Sequence, residues 1–96
     1  MVDVDETIKR IQSQKGVLGV LIMDVCGRPI RSTFDDESTA QYADRLHELC
    51  EKSRNVVKDL DQTNDLSFLR MRTKNNEIII APDRDYLIAV VSNKST

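Results

Sequence analysis

The sequence predicts a small α+β fold of order α-β-β-α-β-β-β, in which a largely antiparallel five-stranded sheet carries helices on both faces. Three observations lead there. Residues 64 to 92, NDLSFLRMRTKNNEIIIAPDRDYLIAVVS, read as strands rich in branched and aromatic residues, separated by polar turns at Lys74 to Asn76 and Pro82 to Asp85. Val17 to Met23, VLGVLIM, is apolar at almost every position, as in a strand buried on both faces. Between these blocks, Ser38 to Asp59 repeats apolar side chains at the helical period.

Each element has its own signal. Asp3 followed by Glu6 resembles a capping box, and Val4, Ile8 and Ile11 share one face of a first helix, Asp3 to Gln14, that Lys15-Gly16 stops. In the first strand, Gly19 marks close approach by another element. The turn Asp24 to Arg28 leads to a second strand, Pro29 to Thr33, whose opening proline and arginine suit an edge. The acids and hydroxyl of Phe34 to Ser38 suit a helix N-terminus, with its unpaired amides and partial positive charge. Along the long helix, Tyr42, Leu46, Leu49, Cys50, Ser53, Val56, Val57 and Leu60 follow the 3.6-residue period, and Glu48 and Lys52 stand i, i+4 on the solvent side. Asp61 to Asp65 ends it, and a three-strand meander follows, with Asn93 to Thr96 as a polar tail. The strands apolar on both faces, Val17 to Met23 and Tyr86 to Ser92, should be central neighbours, and the arginine-bearing strands, Pro29 to Thr33 and Leu66 to Thr73, should be edges. That gives the spatial order 2-1-5-4-3. The long helix can cover one face, whereas the short one covers only part of the other and leaves a candidate partner surface.

Composition bounds the function. With 96 residues and 40% hydrophobic content, the chain is one domain, residues 1–96, with a marginal core that association would extend. Its 14 basic and 16 acidic side chains give a net charge of −2, so no basic field favours nucleic acid or an anionic membrane. The N-terminus carries acids where a signal peptide needs basic residues, and no segment approaches the roughly 20 apolar residues of a membrane span. A soluble intracellular protein is expected. Cys26 and Cys50 lack CxxC spacing and fit a reducing compartment better than a disulfide or metal framework. The Asn-x-Ser match at Asn93 is read as chance.

No chemistry assembles along the chain. His47 is the only histidine, and the sequence sets no nucleophile beside it, so a solvated or interface histidine is the better reading. Asp59, Asp61 and Asp65 imitate a calcium loop, but Asn64 stands where glycine is required and Arg70 where a bidentate glutamate is required. Neither GxxxxGK[ST] nor GxGxxG occurs. Cys26 reads as a neutral residue of an exposed turn, and Cys50 as a small core or interface hydrophobe. The expectation is a protein without cofactor, metal or catalytic residues.

The strand Leu66 to Thr73 is the exception to a clean inside and outside. Leu69 and Met71 share one face with Ser67 and Thr73, while Leu66, Phe68, Arg70 and Arg72 share the other. One reading is a solvated edge with a lightly covered Phe68. The other pairs this strand with its copy in a second chain, removing the edge and bringing the two long helices together on one side of a continuous sheet.

ETIKRIQSQKGVLGVLIMD, GRPIRST, QYA at the start of the long helix, and above all NDLSFLRMRTKNNEIIIAPDRDYLIAVV resemble roadblock-type light chains of cytoplasmic or axonemal dynein, over nearly the whole chain. Cys26 and the stretch Leu46 to Lys52 depart from that pattern. The resemblance implies an α/β/α homodimer joined through its third strands. Its interface would fall on Tyr42, Leu46, Leu49, Cys50 and Ser53 of the helix and on Leu66, Phe68, Arg70 and Arg72 of the strand. It also implies a non-catalytic subunit that binds the dynein intermediate chain, two copies per dimer, and supports complex assembly and cargo attachment for microtubule-based transport. Such a protein resides in the cytoplasm with the microtubule cytoskeleton, or in a cilium or flagellum. Ile8, Ile11 and the open sheet face are the candidate partner surface. The alternative within the family is a regulator or platform for a small GTPase, with Arg70 or Arg72 stabilising phosphate charge.

Overall fold

A computed structural model describes residues 3–93; the polar tail after Asn93, with the rest of the Asn-x-Ser match, lies outside the described residues. The elements are α1 (Val4–Gln12), β1 (Val17–Asp24), β2 (Pro29–Ser32), α2 (Asp36–Leu60), β3 (Leu69–Arg72), β4 (Asn76–Asp83) and β5 (Tyr86–Asn93). All pairings in the sheet are antiparallel and its order is β2-β1-β5-β4-β3, as the placement of two-faced and arginine-bearing strands predicts. No helix among the described residues is long and apolar enough to cross a membrane.

Side-chain caps set the helix starts. The Asp3 carboxylate accepts from the amides of Asp5 at 3.0 Å and Glu6 at 3.3 Å, and that of Asp35 accepts from Ser38 at 2.7 Å. The second cap starts α2 at Asp36, two residues before the expected Ser38. At 1.5 Å per residue, α2 is about 37 Å long against about 26 Å for an eight-residue strand, so its last turns overhang the sheet. Accordingly its buried residues, Ala43, Leu46 and Cys50, end at its middle.

α2 packs on the face formed by Leu21, Met23, Ile80, Leu87 and Ala89, with Phe34, Leu69 and Ile78 around them. The opposite face lies under α1, where Val20 and Ile22 are also buried. Burying a large aliphatic side chain is worth about 1.5–3 kcal/mol, so this two-sided packing is the main cohesive force in the domain. Phe34 is the element that approaches Gly19: a Cβ there would lie 2.2 Å from its ring, which stacks on Tyr42 at 4.7 Å between centroids.

Two further boundaries differ from expectation, and Pro82 lies at both. The expected turn at Pro82 to Asp85 is only Arg84-Asp85, because Pro82 and Asp83 continue β4 and pair with Leu87 and Tyr86. The expected strand Leu66 to Thr73 is only Leu69–Arg72. β3 pairs with β4 from Leu69 opposite Ile80, so the same register would set Ser67 against Pro82, which has no N–H for the ladder. Residues before Leu69 leave the sheet, and Leu66 packs against the α2-side core while Phe68 is exposed.

In the β1–β2 turn the Asp24 carboxylate accepts from the amides of Arg28 and Cys26, which holds its pKa below the usual carboxylate value. Gly27 has φ +87°, and a Cβ there would come within 2.6 Å of the His47 ring. Gly27→Ala should therefore cost about 1–3 kcal/mol through backbone strain and overpacking, read as a lower urea midpoint at unchanged slope. In a His47→Ala background the same substitution should cost less, because only the backbone part remains.

Candidate functional site

The sheet has two edges, and they are built differently. The β2 edge opens with Pro29, carries a register irregularity between Ile22 and Met23, and is flanked by the Arg31–Asp5 ion pair at 3.2 Å. These features discourage strand addition. β3 has no proline and no irregularity in its pairing. Leu69 packs against the core under α2 and Met71 turns to the same side, while Arg70 and Arg72 lie on the other face and close on Glu77 of β4.

Beside β3, on the α2 side, is a hollow of about 380 Å³ lined by Tyr42, Arg45, Leu46, Met71 and Ile78 among others. Along the adjoining flank of α2, Leu49, Ser53, Val56 and Leu60 recur at spacings that keep one stripe, and Val56 is 57% and Leu60 83% exposed. Phe68, just before β3, is 57% exposed. An open strand edge, an apolar hollow and an exposed apolar stripe thus adjoin one another.

The structure sorts the residues expected at a dimer interface. Tyr42, Leu49 and Ser53 are half-buried on the α2 flank, and Phe68, Arg70 and Arg72 are exposed. Cys50 and Leu46, at 0% and 5% exposure, face the sheet within the single chain, and Leu46 also lines the hollow. Leu66 is half-buried against the core, whereas Phe68 is exposed. Sequence reasoning missed Met71, Arg45 and Ile78, which line the hollow, because periodicity alone does not say on which face of β3 the long helix lies. Ile8 and Ile11 are both half-buried on α1, and Ile11 also lines a second hollow of about 660 Å³ with Thr7, Arg10, Asp83 and Ile88.

The charged groups pair locally. Arg72 Nε donates to Glu77 Oε2 at 2.8 Å and Arg70 Nε lies 3.5 Å from Oε1. The Arg72 hydrogen bond first, opposed by partial burial and aided by both arginine charges, holds Glu77 below its ordinary 4.5. His47 Nε2 is 3.0 Å from the Val25 carbonyl and 4.0 Å from Glu51, tying α2 to the β1–β2 turn. Burial pushes the Cys50 thiol up, so it stays a neutral hydrophobe, and Cys26 is exposed. Among the described residues no group of three or more His, Cys, Asp or Glu side chains could hold a metal ion. Because Glu77 is depressed in the folded state, its contribution is present above about pH 4.5 and lost as pH falls through its folded value. Glu77→Gln should accordingly be less stable than the parent at pH 7, and the two denaturation midpoints should converge in acid.

Among solved structures, a Roadblock/LC7 domain from Streptomyces avermitilis superposes with a TM-score of 0.85 at 13% identity, covering 96% of this chain and 79% of that one. MglB of Myxococcus xanthus gives 0.79 at 11% identity, with coverage of 97% and 80%. A structure described as MglB with tetrameric arrangement gives 0.79 at 10%, with coverage of 97% and 76%. At these identities the likeness is one of fold. The Roadblock/LC7 domain family itself matches residues 3–93, so the chain belongs to the Roadblock/LC7 family.

Proposed function

We propose that the chain is a non-catalytic assembly subunit that works as a symmetric homodimer, its two sheets joined edge to edge through β3. The observation that carries this reading is the contrast between the two edges: β2 is protected by Pro29, whereas β3 is open beside an apolar hollow and the Val56–Leu60 stripe. A strand added at β3 satisfies its unpaired backbone groups, and a second α2 arriving with it would cover Met71, Leu49 and Val56. Tyr42, Leu49, Ser53 and Phe68 remain in this proposed seam, with Met71 and Arg45 added; Arg70 and Arg72 would lie on its other face.

For the partner, the chain-long resemblance to dynein roadblock light chains supports the dynein intermediate chain, held on the α1 side of the sheet near Ile8 and Ile11. In that reading the protein serves microtubule-based transport in the cytoplasm. The second reading is a platform for a small GTPase, and the MglB structures among its neighbours fit it better than the first. Arg70 and Arg72 are engaged with Glu77, so either would have to leave that carboxylate to face a phosphate.

Sedimentation at micromolar concentration should give a dimer, and a monomer there would defeat the seam. Phe68→Asp should weaken dimerisation at least about a hundredfold, near 3 kcal/mol, by placing an unpaired charge in the seam. The two partner readings separate in parallel pull-downs. Capture of an intermediate chain with no change in GTP hydrolysis by candidate GTPases supports the first, and the reverse outcome supports the second.

A further inference from the structure

A third hollow, of about 660 Å³, lies where the second half of α2 meets the β4–β5 turn. Its α2 wall is formed by Glu51, Arg54 and Lys58, spaced i, i+3 and i+7 on a different flank of the helix from the Leu49–Leu60 stripe. Two of its cations are already neutralised: Arg54 lies 3.6 Å from Glu51, and Lys58 lies 2.6 Å from Asp65. Arg84 also lines the hollow and makes no ion pair among the described residues, which leaves the lining residues with one positive charge in excess, while Asp83 and Asp85 flank Arg84 in the turn.

Arg84 also stands apart in its backbone. At φ +55° it is the one non-glycine residue among those described with a positive φ. Glycine or asparagine takes that conformation at lower cost, and strain of this kind concentrates where a side chain has to be aimed. Here the turn brings an arginine, whose guanidinium is a planar fork suited to bidentate contact with a carboxylate, to the lining of a hollow whose other cations are paired. Leu66 and Pro82 supply an apolar wall beside it. A small inorganic anion would leave that wall wet, whereas an acidic side chain of a peptide brings methylene groups to cover it.

We infer that this hollow binds an acidic peptide segment, the Arg84 guanidinium taking one of its carboxylates and the Leu66–Pro82 wall taking the neighbouring apolar atoms. The site lies on a different flank of α2 from the proposed seam and does not depend on the dimer.

The test uses a short fluorescent peptide of Glu, Leu and Gly, its Gln-for-Glu counterpart, and inorganic phosphate as competitor, read by anisotropy with the full chain. The Glu peptide should bind, more weakly as salt screens the contact, and the Gln peptide should not. Arg84→Gly should lose binding at least about tenfold, as for a lost charged hydrogen bond, while its unfolding midpoint stays unchanged or rises. Its sedimentation should match the parent's, which separates failure of this site from failure of the seam. Equal binding by Arg84→Gly, equal binding of the Gln peptide, or no binding of either would overturn the inference. Displacement by phosphate at the peptide's own affinity would assign a small-anion site and overturn the peptide reading.

Discussion

Everything in this domain is arranged around one ladder, β1 against β5, whose side chains are apolar on both faces. Leu21 and Met23 point to one side and Val20 and Ile22 to the other, and all four are buried. Such a ladder has no solvent face, so it must sit centrally and be covered twice. The chain meets that demand unevenly. α2, with 25 residues, covers one side of the sheet, whereas α1, with nine, reaches about 13 Å and shields mainly β1. The partner surface proposed on the α1 side follows from that shortfall, since Ile79 and Val90 lie beyond the helix and remain half-exposed.

The central architecture was legible because its signals are redundant. VLGVLIM has no polar residue to turn outward, arginines alternate along LRMR and one stands in PIRS, so strand order follows from which strands tolerate water. The start of β3 was not legible, because it depends on the register that sets Ser67 against Pro82, a pairing across a hairpin. Nor could the sequence divide the apolar side of α2. Ala43, Leu46 and Cys50 face the sheet, while Tyr42, Leu49, Ser53, Val56 and Leu60 lie beside them on the flank. At 100° per residue the two stripes merge into one broad apolar arc. Only the sheet's position shows that Cys50 is buried and Leu60 exposed.

The sheet edges show how a small domain uses backbone valence as well as side chains. Pro29 removes a donor at the start of β2, and Pro82 ends the β3–β4 ladder early, so the same chemistry appears once to protect an edge and once to shorten it. The short β3 that results carries its arginines on the face away from α2, bound to Glu77. Their charges are therefore satisfied across the β3–β4 pair and do not bar apolar contact on the α2 face.

α2 is longer than its own sheet requires, and its length explains how one helix serves several surfaces. Its first half holds the core through Ala43, Leu46 and Cys50, and His47 binds it to the β1–β2 turn. Past Cys50 no residue of α2 is buried, yet the helix runs ten residues further with Val56 and Leu60 on one flank and Arg54 and Lys58 on another. Ion pairs at helical spacing on exposed surface contribute little to stability, typically 0–1 kcal/mol, so the overhang does not hold the fold together. A helix continued beyond its core, apolar toward the open edge and charged toward Arg84, is better matched to holding other chains than to stabilising its own.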